Sequence, residues 1–233
     1  MRTLTLISLL LAACFGLHAQ NIEQRKVERF EHIVFEGRGE MILSEGKMPA
    51  LELEASDDVD MRRVKTYVRG NTLYITYDRD NDDVWDLYPK ITAYVSYQEL
   101  SSIKTEGIVD VISETPITHD TFRFVAEGMG KNKLQLEVDH LEVEIAGTAD
   151  VVASGQAQRC QLLLDGTGKL DALELEAKNV DAEINGTGSL LVYATERLYV
   201  EANGFGAQVR YKGDPKDKVI NKSGWVSVKR ANE

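Results

Sequence analysis

Between Ser101 and Val228 apolar residues alternate with polar ones, and the alternation restarts in the same phase around each of a series of small knots. The knots begin at Gly107 (GIVD), Gly128 (GMGK), Gly147 (GTAD), Gly166 (GTGK), Gly186 (GTGS), Gly204 (GFGA) and Lys222 (KSGW), in steps of 21, 19, 19, 20, 18 and 18 residues. Six, four and two places ahead of them stand Ser101, Ile103, Thr105; Phe122, Phe124, Ala126; Leu141, Val143, Ile145; Cys160, Leu162, Leu164; Val180, Ala182, Ile184; Leu198, Val200, Ala202; and Lys216, Lys218, Ile220. Seventeen of these 21 residues are apolar, against five of 21 at the interleaved places. A period of two in fixed phase predicts a strand with one buried face before every knot.

A second short alternation follows the knots, as in Val151 and Ala153, Leu170 and Ala172, Leu190 and Val192, or Val226 and Val228. One unit therefore reads as strand, glycine turn, strand, return turn. Two strands of about five residues, at roughly 3.3 Å per residue, cannot bury an apolar face alone, so consecutive units must stack. The expected fold class is all-β: a parallel β-helix-like solenoid of two-strand coils with Gly-x-Gly turns, after a less regular N-terminal β region. A Greek-key sandwich is the alternative, but it gives no reason for a constant phase over six steps.

The N-terminal part carries one early copy of the pattern, with Ile33 and Phe35 before Gly37 and Met41 and Leu43 after it. The next clear anchor comes 70 residues later, at Gly107. Between them, Ala50 to Glu54 and Ile91 to Tyr97 read as strands, and Val64 to Tyr77 as a hairpin through Gly70-Asn71. Ser56 to Arg63 can hold one helical turn. Residues 20–100 are thus expected to be an antiparallel or mixed β region that continues or caps the solenoid of residues 101–230.

The chain opens with Met1-Arg2, an apolar run from Leu4 to Phe15 and the sequence GLHA before polar residues begin at Gln20. This is the pattern of a secretory signal peptide over residues 1–19, too short for a stable membrane span. Leu11-Ala12-Ala13-Cys14 also resembles a bacterial lipobox, with Cys14 as a lipidated first residue; cleavage after Ala19 is preferred because it ends the apolar run. The expected location is the periplasm, the outer-membrane surface or the medium.

Removing residues 1–19 takes away Arg2 and no acid, so 26 basic residues face 38 acidic ones, a net charge of −12. That acidity argues against nucleic acid as a partner. Only Cys160 then remains, so no internal disulfide can form. No later segment is apolar enough to be read as a membrane span, and open solenoid ends make a homo-oligomer the expected state.

The repeated I-x-G-T-G-x-L units, the entry F-x-x-I-x-x-x-G-x-G from Phe30, and Tyr211-x-Gly213-x-Pro215 followed by Lys222-Ser223-Gly224-Trp225-Val226 are similar to the head GIN domain family. These are exported Gram-negative bacterial proteins assigned to autotransporter-adhesin heads. The resemblance spans residues 28–230 and implies a right-handed β-helix-like stack, no established catalytic residues, and surface adhesion, with a trimer as one candidate assembly. The sequence departs from the pattern at Gly107-Ile108-Val109 and Gly147-Thr148-Ala149, which lose the second glycine, and at Ala207-Gln208-Val209, where one extra residue indicates a bulge.

Gly-x-Gly loops can cradle phosphate, but that chemistry needs a helix after the glycines. Here a strand follows each knot, so Gly107, Gly128, Gly130, Gly147, Gly166, Gly168, Gly186, Gly188, Gly204, Gly206 and Gly224 are read as structural turns needing positive φ. Cys160 shares the phase of Leu141 and Val180 and is expected to be a buried hydrophobe. His32, His119 and His140 are far apart and in no metal-ligand spacing.

The acids Asp78, Asp80, Asp82 and Asp83 hint at calcium, yet an EF-hand loop needs glycine where Asp83 stands and an acid where Pro89 stands. A solvated loop tip is the simpler reading. Trp85 and Tyr88 could stack on a sugar, although a local core plug is the commoner use of such a tryptophan. No cofactor, metal or catalytic residue is expected. The leading expectation is a noncatalytic exported protein that presents a surface to a glycan or another cell-surface ligand. Its rivals are a polysaccharide-acting β-helix enzyme such as a lyase and a purely structural envelope oligomerisation module.

Overall fold

A computed structural model describes residues 20–56, 59–78 and 89–231 of the chain. The signal segment with Cys14, the acids Asp80, Asp82 and Asp83, and Trp85 and Tyr88 lie outside the described residues. The strands are β1 (Gln20–Arg25), β2 (His32–Glu45), β3 (Ala50–Ser56), β4 (Val64–Arg69), β5 (Thr72–Tyr77), β6 (Lys90–Tyr97), β7 (Ser102–Ser113), β8 (Ile117–Ile145), β9 (Thr148–Leu164), β10 (Thr167–Ile184), β11 (Thr187–Lys212) and β12 (Asp217–Arg230). A 3-10 turn at Met61–Arg63 precedes β4.

From β7 to β12 each strand pairs in parallel with the next, so the chain climbs as an all-β solenoid of about six turns. Residues of the same phase fall on top of one another. Leu141, Cys160, Val180 and Leu198 form one interior column, and Val143, Leu162, Ala182 and Val200 a second. All eight side chains are at most 2% exposed. Each buried aliphatic in such a column contributes about 1.5–3 kcal/mol relative to an exposed position, and the gain exists only because neighbouring turns cover it.

The coil keeps the expected spacing, and within it a short stretch beyond the two arms also faces inward. After the arm that follows the glycines, a further inward-facing stretch stacks Val138, Ala157, Ala177 and Ala194. It is separated from the next arm by a corner where two successive residues face out, Asp139-His140 in β8 and Gln158-Arg159 in β9. That corner shifts the alternation by one residue, which is why a period-two reading anchored on the knots does not reach it.

Gly37, the glycine of the early copy, lies in register with Gly107 despite the intervening 70 residues. Strand β2 is therefore itself a rung. Its other side is covered by β5 and β6, both parallel to it, and β3 and β1 extend the sheet in antiparallel fashion. Strands β4 and β5 form the expected hairpin, with Gly70 at φ 58° and Asn71 at φ 62°, the left-handed pair that suits a two-residue hairpin turn.

At four of the knots the first residue is glycine for a reason other than the one expected. Gly128, Gly147, Gly166 and Gly186 do not have positive φ. Instead, a β-carbon placed on any of them would overlap the carbonyl oxygen of the glycine one rung earlier, from Gly107 to Gly166. Stacked rungs bring backbone against backbone at this corner, and only hydrogen fits between. Gly107 and Gly224 combine this close approach with φ of 103° and 85°.

The last anchor also needs correction. Gly224, not Lys222, sits over Gly204, and Ala202 faces Lys222. The final step is thus 20 residues, and Lys218, Ile220 and Lys222 occupy the inward phase of the last rung. Lys218 and Lys222 are exposed and Ile220 half-buried, as expected for a turn with no described neighbour beyond it. The extra residue after Gly206 forms the expected bulge, since the register shifts between Phe205 and Gln208.

Candidate binding surface

The outward residues of the arms ahead of the glycines form one face, rich in carboxylates. Over its earlier rungs these are neutralised. Lys104 Nζ lies 2.8 Å from both Glu106 and Glu127, and hydrogen bonding to the two carboxylates, Glu106 foremost, holds its ammonium above the ordinary lysine range. Arg123 reaches Glu142 at 3.0 Å and Glu144 at 2.7 Å. These pairs are half exposed and contribute little to stability.

The later rungs differ. Asn185 Nδ2 donates to Glu183 at 2.6 Å, Asn203 Nδ2 donates to Asn185 Oδ1 at 3.2 Å and to Glu201 at 3.3 Å, and the Tyr199 hydroxyl donates to Glu201 at 3.2 Å. Asn221 Nδ2 then donates to the Tyr199 oxygen at 3.3 Å. These side chains form a continuous hydrogen-bonded chain across three rungs. Among the described residues no cation pairs with Glu183 or Glu201. A depression of about 260 Å³ adjoins Tyr199, bordered by Glu144, Gln161, Leu163, Asp181 and Glu183.

The middle residue of each knot points out at the corner beside this face. Register places Arg38, Ile108, Met129, Thr148, Thr167 and Thr187 in one column, and Phe205 opposite Trp225 in the last two rungs. The Thr187 hydroxyl donates to the Phe205 carbonyl at 3.3 Å, tying the column together. Phe205 and Trp225 are stacked with centroids 5.0 Å apart and planes at 20°. They are 69% and 76% exposed, so the stack is presented to solvent rather than used as core.

The other candidates fall elsewhere. Cys160 is 1% exposed, and burial pushes its thiol up to about 12, which removes the thiolate a nucleophile needs. His32 Nδ1 lies 2.8 Å from the Ser102 hydroxyl and 3.2 Å from that of Ser101, which itself donates to the Glu31 carbonyl. This histidine organises a turn, and among the described residues no carboxylate orients its ring. His119 Nδ1 accepts from the Thr121 amide at 3.1 Å beside an open cleft of about 660 Å³ that Glu99, Asp120, Glu137 and Asp139 also line. Among the described residues no histidine, cysteine or acid group is arranged to hold a metal. His140 is exposed, and Asp78 lies 3.6 Å from Lys65. No described helix is long and apolar enough to cross a membrane.

Glycine-stacked rungs around inward aliphatic columns define a β-solenoid. The chain belongs to the family described as "Putative auto-transporter adhesin, head GIN domain", whose model matches residues 29–215. Solved structures share the fold. A "putative adhesin" from Bacteroides fragilis is 24% identical, with a TM-score of 0.81 over 91% of this chain and 97% of the other. A "putative lipid binding protein" from Parabacteroides distasonis is 22% identical, with a TM-score of 0.68 over 93% and 98%. A "putative adhesin" from Parabacteroides merdae is 17% identical, with a TM-score of 0.67 over the same shares. No curated protein matches the chain.

Proposed function

We propose that this protein is an exported, noncatalytic surface or envelope protein of the adhesin type, and that it binds glycan through its last three rungs. The observation that carries the reading is the solvent-exposed Phe205–Trp225 stack beside the chain of Glu183, Asn185, Asn203, Glu201, Tyr199 and Asn221. An aromatic face packs against the C–H face of a sugar ring, while amides and carboxylates held by one another exchange hydrogen bonds with its hydroxyls. Family membership supports the adhesin part of the reading, and the signal-like N-terminus supports export.

The test is a glycan array and a cell-binding assay with the mature protein, its Trp225→Ala and Phe205→Ala variants, and a lectin as working control. Both side chains are largely exposed, so the variants should keep the wild-type melting temperature within about 2 °C, corresponding to a surface change of about 0.5 kcal/mol. Binding should fall at least tenfold. Silence from the wild type beside a working control, or binding indifferent to both substitutions, would overturn the proposal.

A further inference from the structure

The glycan reading leaves open what kind of saccharide fits, and the same surface narrows it. Tyr199 and Phe205 are six residues apart on β11, about 20 Å of strand at roughly 3.3 Å per residue. Between them the outward positions are Glu201 and Asn203, flanked one rung away by Glu183 and Asn185. Their hydrogen bonds, the longest 3.3 Å, run along the surface from side chain to side chain. Each carboxylate keeps acceptor capacity toward solvent, because an ionised carboxylate offers about four lone-pair sites. The path thus has an aromatic ring near each end and carboxylate acceptors in the middle.

We infer that, if the last three rungs bind glycan, their ligand is an uncharged oligosaccharide of several units lying along β11 from Tyr199 to the Phe205–Trp225 corner. One ring cannot touch both ends of a path of that length, whereas a chain can stack at the corner and reach Tyr199 further on. Hydroxyls are donors and match the remaining acceptor capacity of the two carboxylates. A uronate or sulfated chain would bring anions against Glu183 and Glu201, where no described cation compensates them, and against a chain whose overall charge is −11.

The experiment is calorimetric titration of the mature protein with neutral α-glucan, β-glucan and mannan oligosaccharides of one to six units, and with oligogalacturonates of the same lengths. Affinity for at least one neutral series should climb tenfold or more between two and six units. Tyr199→Ala should abolish that climb, while Tyr199→Phe, which keeps the ring, should retain most of it. Glu183→Gln with Glu201→Gln should raise oligogalacturonate binding at least fivefold by removing two charges from the path. Length-independent binding by the wild type, a wild-type preference for oligogalacturonate over every neutral series, or oligogalacturonate binding that the double variant does not raise would overturn the inference while leaving glycan binding in place. Failure of every saccharide to bind, or binding untouched by both Trp225→Ala and Phe205→Ala, would overturn the glycan reading itself.

Discussion

Asn132 occupies an interior position that its column otherwise fills with Met41, Val111, Val151, Leu170 and Leu190. It is 1% exposed, its Oδ1 has no hydrogen-bond partner, and its Nδ2 makes one long contact of 3.4 Å to the Asp150 carbonyl. Replacing it with leucine, which keeps the branched shape, removes a buried unsatisfied acceptor costing about 1–3 kcal/mol and gives up a weak hydrogen bond of about 0.5–1 kcal/mol. Leu170 and Leu190 in the same column show that the coil has room for the methyl groups. Asn132→Leu should therefore stabilise the protein by about 1–2 kcal/mol and raise its melting temperature by about 2–8 °C for a domain of this size. Urea titration followed by far-ultraviolet circular dichroism measures it, with an unchanged slope showing that the same surface unfolds. Loss of more than 1 kcal/mol would refute the reasoning, because it would mean that Oδ1 is satisfied by a buried water the leucine expels.

Two further outcomes follow from the same packing. Gly166→Ala would drive a β-carbon into the Gly147 carbonyl, a backbone group that accepts from the Thr167 amide at 2.9 Å, whereas Gly206→Ala meets nothing within 4 Å and strains only its φ of 84°. Urea melts should show a loss of about 3–5 kcal/mol for the first and about 1–2 kcal/mol for the second, and equal losses would sink the close-approach argument. Cys160 has its thiol pKa raised by burial from 9.0 to about 12, so the folded chain holds that proton more tightly than the unfolded chain. Its contribution to stability is whole below pH 9 and declines as pH rises toward 12. The wild type should accordingly lose more of its denaturation midpoint than Cys160→Ala over that range, and a chromogenic disulfide reagent at pH 8 should label the thiol only as fast as the protein unfolds.

The interior of the solenoid was legible because burial imposes one rule on every coil. Val180, Ala182 and Ile184 could be aligned under Leu198, Val200 and Ala202 from spacing alone, and the register agrees. The stretch ending in Ala157 or Ala177 was missed because its corner inserts a second outward residue and breaks the phase. Gly37 was visible as a copy, but its pairing with Gly107 depends on a 70-residue excursion returning to the same edge, which no local pattern encodes.

The aromatic corner was hidden by a specific error of register. With Lys222 as the last anchor, the residue beside Phe205 in the corner column would be Ser223, and no aromatic pair exists. With Gly224 as the anchor, Trp225 falls beside Phe205 and the stack follows. The anchor was misplaced because Lys218 and Lys222 stand where earlier rungs carry apolar residues, and the last rung tolerates them only because its inward face is not covered by another described turn. Outward side chains are free of the repeat's packing rule, so they can carry recognition. For the same reason they announce themselves only after the inward columns have been aligned to the residue.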